Sequence, residues 1–158
     1  MGRVYFVPIS GTASPAAAFD AFEVLASSGK PFFLNRICLG QTSDYGDAAA
    51  EGLRVDVKRA TGSYTSGSGG STVTPAKANT TDAAAGPTAE TMNTTQAAAG
   101  SGTLTTLLSE AFNVQGGWEF CPPPDRRPLF LPAEAVVVSV SAPADAVTVA
   151  GVLEFEEF

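Results

Sequence analysis

Apolar positions recur with a period of two along the C-terminal stretch, residues 135–158, AVVVSVSAPADAVTVAGVLEFEEF. Val136, Val138 and Val140 fall on one side of an extended chain. Val147, Val149, Gly151, Leu153 and Phe155 fall on one side of a second. Alternating β-branched residues on both sides of Ala142-Pro143-Ala144-Asp145 predict a β-hairpin.

The alternation recurs upstream. Residues 3–9 set Val4 and Phe6 opposite Tyr5 and Val7, a first strand in which Pro8 suits an edge or an end. Residues 10–15 read as a loop. Residues 18–26, AFDAFEVLA, fit a helical stripe through Phe19, Phe22 and Ala26, or a strand; the short length and the β neighbours favour the strand. Residues 32–39, FFLNRICL, are apolar on both faces except at Asn35 and Arg36, and predict a central, well-buried strand. Residues 40–46 read as a loop. Residues 47–52 suit one helical turn, through Ala48, Ala49, Ala50 and Glu51. In residues 53–59, Leu53, Val55 and Val57 point in, while Arg54, Asp56 and Lys58 point out. Residues 103–114 alternate again. Gly116-Gly117 then turns the chain into a short strand with Trp118, Phe120 and Pro122 on one side. Pro122-Pro123-Pro124 predicts an extended rim. About eight strands separated by turns predict one all-β domain over residues 1–158. The expected architecture is an antiparallel two-sheet sandwich, jelly-roll-like.

Residues 60–102 break the pattern. Of these 43 residues, 36 are Gly, Ser, Thr, Ala, Asn or Pro. Residues 79–86, NTTDAAAG, are echoed by residues 93–100, NTTQAAAG. So little apolar surface cannot order the segment by itself. The expectation is one long low-complexity loop or arm with an exposed tip at Ser66-Gly67-Ser68-Gly69-Gly70, lying along the body or reaching a neighbouring subunit.

At 158 residues a single core buries roughly 70% of the unfolded surface, so no staple is needed. Cys38 and Cys121 are then most simply buried thiols, and sequence leaves a disulfide between them open. The net charge of −7 disfavours nucleic acid and anionic lipid, so neither is an expected partner. Charged residues make up 16% of the chain, against a usual ~25%. Small residues replace them, which suits a protein that packs against neighbours. The N-terminus shows no signal-peptide pattern, and no apolar run reaches the length of a membrane helix. The product is therefore expected to be made and kept in a cytosol.

Candidate chemistry is thin. The chain has no histidine, which removes His-based acid–base catalysis, Ser-His-Asp and Cys-His nucleophiles, and the usual zinc ligands. It has no CxxC and no phosphate-binding Gly-rich motif between strand and helix. No cofactor is expected. A carboxylate pair for glycoside hydrolysis could come from Glu110, Glu119 and Glu154, whose plainer reading is outward polar positions on strands. Asp44 and Asp47 could help hold calcium, but they lack the regular oxygen ligands of a known loop, and loop capping is the plainer reading. Asn79 and Asn93 match the glycosylation acceptor, and without a secretion route they read as polar loop. Trp118 with Tyr45 or Tyr64 could stack on a sugar; Trp118 reads more simply as a core or interface aromatic.

Several stretches together resemble the small β-sandwich virion proteins of tailed bacteriophages. They are Leu39-Gly40-Gln41-Thr42-Ser43-Asp44, Leu53-Arg54-Val55, Ser66 to Gly70, Asn93-Thr94-Thr95-Gln96, Phe112-Asn113-Val114 to Trp118, and Gly151-Val152-Leu153-Glu154-Phe155-Glu156. The resemblance implies a non-enzymatic structural protein of the virion, decorating the head. Its partners would be its own copies, with a trimer suiting capsid three-fold sites, and the major capsid protein or another virion protein. It carries over no site residues. The alternative is a carbohydrate- or receptor-binding module of a phage fibre or tail.

Overall fold

The computed structural model describes residues 2–43 and 51–158. These contain twelve strands: β1 (Arg3–Ala13), β2 (Phe19–Leu25), β3 (Phe32–Gln41), β4 (Gly52–Thr61), β5 (Ser71–Val73), β6 (Ala76–Lys77), β7 (Thr88–Asn93), β8 (Thr103–Asn113), β9 (Trp118–Phe120), β10 (Leu129–Phe130), β11 (Ala135–Val140) and β12 (Val147–Glu157). A 3₁₀ turn, Pro124–Arg126, separates β9 from β10. The suggested helical turn at residues 47–52 lies mostly outside the described residues; Gly52 already begins β4.

Every strand pair is antiparallel. The first sheet runs β10-β3-β12-β1-β6, with β9 pairing the same side of β3 as β10. The second runs β5-β7-β2-β11-β4-β8. The set β9-β3-β12-β1 faces the set β2-β11-β4-β8. The chain passes between the two sets at β1 to β2, β2 to β3, β3 to β4, β8 to β9, β9 to β11 by way of β10, and β11 to β12. That is the order of an eight-stranded jelly roll, so the expected sandwich is present. The remaining four strands are additions, one beside β9 and three in residues 60–102.

Three expectations change. The C-terminal stretch is not a hairpin: β11 belongs to the second sheet and β12 to the first, and residues 141–146 carry the chain across the sandwich. Period-two alternation with a turn looks the same for both outcomes, because it reports faces and not partners. Residues 60–102 are not one loop. They supply β5, β6 and β7, and β7 pairs both β2 and β5. Residues 10–13 continue β1, which stays paired with β12 as far as Ala13↔Val147. Pro8 is tolerated within β1 because β6 covers that strand only at Tyr5 and Phe6.

Between the sheets, Tyr5, Val7, Phe22, Val24, Leu34, Ile37, Val55, Val57, Val136, Val138, Leu153 and Phe155 are buried in one cluster. The inward and outward assignment of residues 53–59 holds. Phe155 stacks on Tyr5 at 5.4 Å and meets Phe32 at 5.1 Å, and Phe32 stacks on Phe130. Phe155→Ala should therefore cost about 3–5 kcal/mol in urea unfolding. Phe158→Ala, at a half-exposed ring, should cost far less. Equal losses would show that the aromatic stack is not the centre of the core.

Candidate functional site

The outer face of the second sheet is covered by residues 62–102, and this cover holds most of the buried polar groups. In β2 the core side carries Phe22 and Val24, while Asp20 and Glu23 point outward into the cover. Both are buried. Glu23 Oε1 accepts from Tyr64 Oη at 2.9 Å and Ser66 Oγ at 2.6 Å. Its Oε2 accepts from the Gly67 amide at 2.9 Å and Asn93 Nδ2 at 3.3 Å. Asp20 Oδ2 accepts from the Ala97 amide at 2.6 Å, and Oδ1 from Ser139 Oγ at 2.7 Å and Gln96 Nε2 at 3.3 Å. Lys58 Nζ donates to Ser139 Oγ at 3.0 Å.

These two acids hold the two limbs of the cover, residues 64–67 and 96–97. The limbs hold each other through paired amide–carbonyl bonds of 2.9 Å between Thr65 and Ala98 and 3.0 Å between Ser68 and Thr95. A third buried acid, Glu157, accepts from the Gly86 amide at 2.6 Å and from Lys30 Nζ at 2.8 Å. Tyr5 Oη donates to the Ala83 carbonyl at 3.0 Å. Apolar contact under the two limbs is a small cluster of Ala60, Ala135 and Val137 with Leu25, Tyr64, Ala97 and Leu104, while Val73, Ala85, Ala89 and Met92 join the main core. Burial holds the Asp20 carboxyl above the usual aspartate range, against the opposing effect of its hydrogen bonds. Burial, then the Glu23 charge, raises the Tyr64 phenol.

The structure gives each carboxylate candidate a hydrogen-bonding partner, and Glu119 and Glu154 both flank Arg36. Glu110 accepts from Trp118 Nε1 at 2.7 Å, Glu119 pairs with Arg36 at 2.6 Å, and Glu154 accepts from Asn35 Nδ2 at 3.0 Å. Trp118 packs against the main core and stacks on Phe120. Tyr64 is on the far sheet, under Glu23. Asp44, Asp47 and Tyr45 lie outside the described residues. Asn93 is buried, whereas Asn79 sits in an exposed turn and accepts from the Thr81 amide. Cys121 is exposed rather than buried, Cys38 is half-buried, and both are free. Cys121 follows the end of β9, the edge strand of the first sheet, and gains no cover there.

Sequence reasoning missed Asp20 and Glu23 as organisers. Their only signal was two acids in an otherwise apolar strand.

The outer face of the first sheet contrasts with that of the second. Cross-strand rows there read Ser10–Ala150–Gly40 and Pro8–Val152–Cys38. None of the six is charged or buried; Pro8 and Ser10 are exposed and the others half-buried. Charge borders these rows: Glu119 of β9 lies opposite Cys38 in the second row and pairs with Arg36, and Glu154, Arg36 and Glu156 occupy the rows beyond. Arg127 lies over Phe33 at 4.9 Å and pairs with Glu156 at 2.6 Å.

No family model matches the chain, and no curated protein matches it. Among solved structures, one from "Structure of infectious bursal disease virus Gx strain" aligns at 16% identity with a TM-score of 0.18. One from "Structure of infectious bursal disease virus Gt strain" aligns at 15% identity with a TM-score of 0.18. Each alignment covers 99% of this chain and 42% of the other, so this chain spans less than half the length of those it matches. A likeness that slight carries no argument.

Removing Glu23 orphans four donors at once. Glu23→Ala should cost at least ~3 kcal/mol, and trypsin-independent proteolysis should open first near Gly67. Unchanged resistance of residues 64–70 would refute the clamp. Asp20 gives a pH signature. Its carboxyl takes up a proton more readily in the folded chain than in the unfolded one. Its contribution to stability is therefore present at low pH and lost as pH rises through its folded range. Compared with Asp20→Asn, the wild type should gain stability between pH ~7 and pH ~4. A wild-type-minus-variant difference that stays constant across that range would contradict the assignment.

Proposed function

We propose that the chain is a non-enzymatic structural protein of a virus particle, decorating and stabilising a capsid surface through contacts with the shell and with its own copies. The observation that carries this reading is the uncharged patch of Pro8, Ser10, Ala150, Val152, Cys38 and Gly40 on the outer face of the first sheet, in a jelly roll whose other sheet is already covered. A face without charges loses little hydration on docking, and a sheet of small residues lets a partner's backbone approach closely. The resemblance to tailed-phage virion proteins supports the same reading. The buried acids support it too, because their lone pairs are occupied in holding the chain's own cover.

Decoration would act by mass action: a protein that binds only the assembled shell stabilises it against rupture. The test is co-sedimentation with capsids of the encoding virus, using wild type and Val152→Lys. The charge at the centre of the bare face should weaken binding by at least about tenfold, or ~1.4 kcal/mol, with unfolding unchanged. Equal binding by both would remove this face from the contact. Binding to a glycan array in place of capsids would favour a carbohydrate-binding module.

A further inference from the structure

The two sheets have four lateral edges, and three are short, broken or blunted: beyond β6, which covers only Tyr5 and Phe6, the edge of β1 carries Pro8. β5 has three residues and β6 two, and the edge made by β9 and β10 is interrupted by the turn at Pro124–Arg126. The fourth edge, β8, is eleven residues long, and among the described residues no strand pairs its free side. A free strand edge offers unpaired N–H and C=O groups as a template for another chain, and soluble proteins usually blunt it with Lys, Pro, short length or a bulge, of which β8 has only the last. β8 reads TLTTLLSEAFN, without Pro, Lys or Arg. Its one charge, Glu110, is held by Trp118 Nε1. Its register shift falls opposite Val57 and Lys58, where Leu107 is left 41% exposed.

We propose that β8 is the surface through which two copies of this chain pair, edge to edge and antiparallel, joining their second sheets across a two-fold axis. This rests on the reading of the chain as a self-associating subunit. A second copy is the occupant, because an identical antiparallel edge presents matching N–H and C=O groups across a two-fold axis, and β8 is where two copies meet with least repulsion. Two bodies of net charge −7 repel across most of their surfaces. β8 brings only one carboxylate per copy, and Glu110 lies C-terminal to the strand's middle, so an antiparallel pair sets the two glutamates on opposite sides of the axis. Threonine and leucine fill the centre of the pair, residue types that suit cross-strand contact.

The experiment is light-scattering mass across the micromolar range, with hydrogen exchange on the same samples. It uses wild type, Thr105→Lys and Leu107→Lys, made separately so that a folding failure in one leaves the other. Wild type should have twice the monomer mass, with slow exchange in β8. Each variant should be a monomer with fast β8 exchange and unchanged thermal unfolding. A monomeric wild type with fast β8 exchange would overturn the proposal. So would a trimer, or any oligomer that survives both lysines, although self-association through another surface would leave the decoration reading standing. Protection of β8 only on adding capsid protein would assign the edge to that partner instead. Loss of capsid binding with the dimer intact would fault the decoration reading alone.

Discussion

Burial of β11 on both faces is the constraint on which the rest of the structure depends. All six of its residues are buried. Val136, Val138 and Val140 enter the main core, and Ala135, Val137 and Ser139 face the other way. A strand of this kind needs a layer on each side. The first sheet is one layer. The other comes from a segment with almost no large apolar residues, so it cannot be held by apolar burial. Asp20 and Glu23 hold it instead, by accepting backbone amides. Hydrogen bonds to an ionised group contribute about 1.5–3 kcal/mol each, and a buried carboxylate stripped of its donors is costly. Acid and cover are therefore mutually dependent: neither is stable in place without the other.

The small-residue composition of the cover follows from that arrangement. A carboxylate on a strand reaches a backbone amide only if the amide's own chain comes down close to the sheet. At Gly67 a Cβ would sit 2.7 Å from Asn93 Nδ2 and 2.9 Å from the Thr95 carbonyl. Only glycine lets the 64–67 limb lie on its partner limb while its amide reaches Glu23. Composition that reads as disorder is here the steric condition for a close-lying backbone.

This also explains what the sequence could reveal. Alternation in residues 53–59 and 147–157 reports a face, and those faces are as expected. It carries no record of sheet membership, so the crossing between β11 and β12 looked like a hairpin; the better clue was that AVVVSV is apolar on both sides. The order of residues 60–102 rests on pairs far apart in sequence, Asp20 with Ala97 and Glu23 with Gly67. No local pattern encodes them. The echo of NTTDAAAG in NTTQAAAG did not report structure either: Asn79 caps an exposed turn, and Asn93 ends a buried strand. The bare face and the free edge became visible only with topology, because both are defined by which neighbours a strand lacks.

The same insertion creates the molecule's asymmetry. It closes the outside of the second sheet and, through Gly86 and Ala83, one end of the sandwich. Its strands also extend one edge of each sheet, β6 beside β1 and β7 beside β2. Among the surfaces it leaves without cover are the outer face of the first sheet and the long edge of β8, whereas the open part of the β1 edge is blunted by Pro8. A sheet face and a sheet edge point in roughly perpendicular directions. A subunit that docks its face on a shell would keep its edge lying along that shell, free to meet a neighbour. Two such contacts do not compete for space, so each raises the effective concentration for the other.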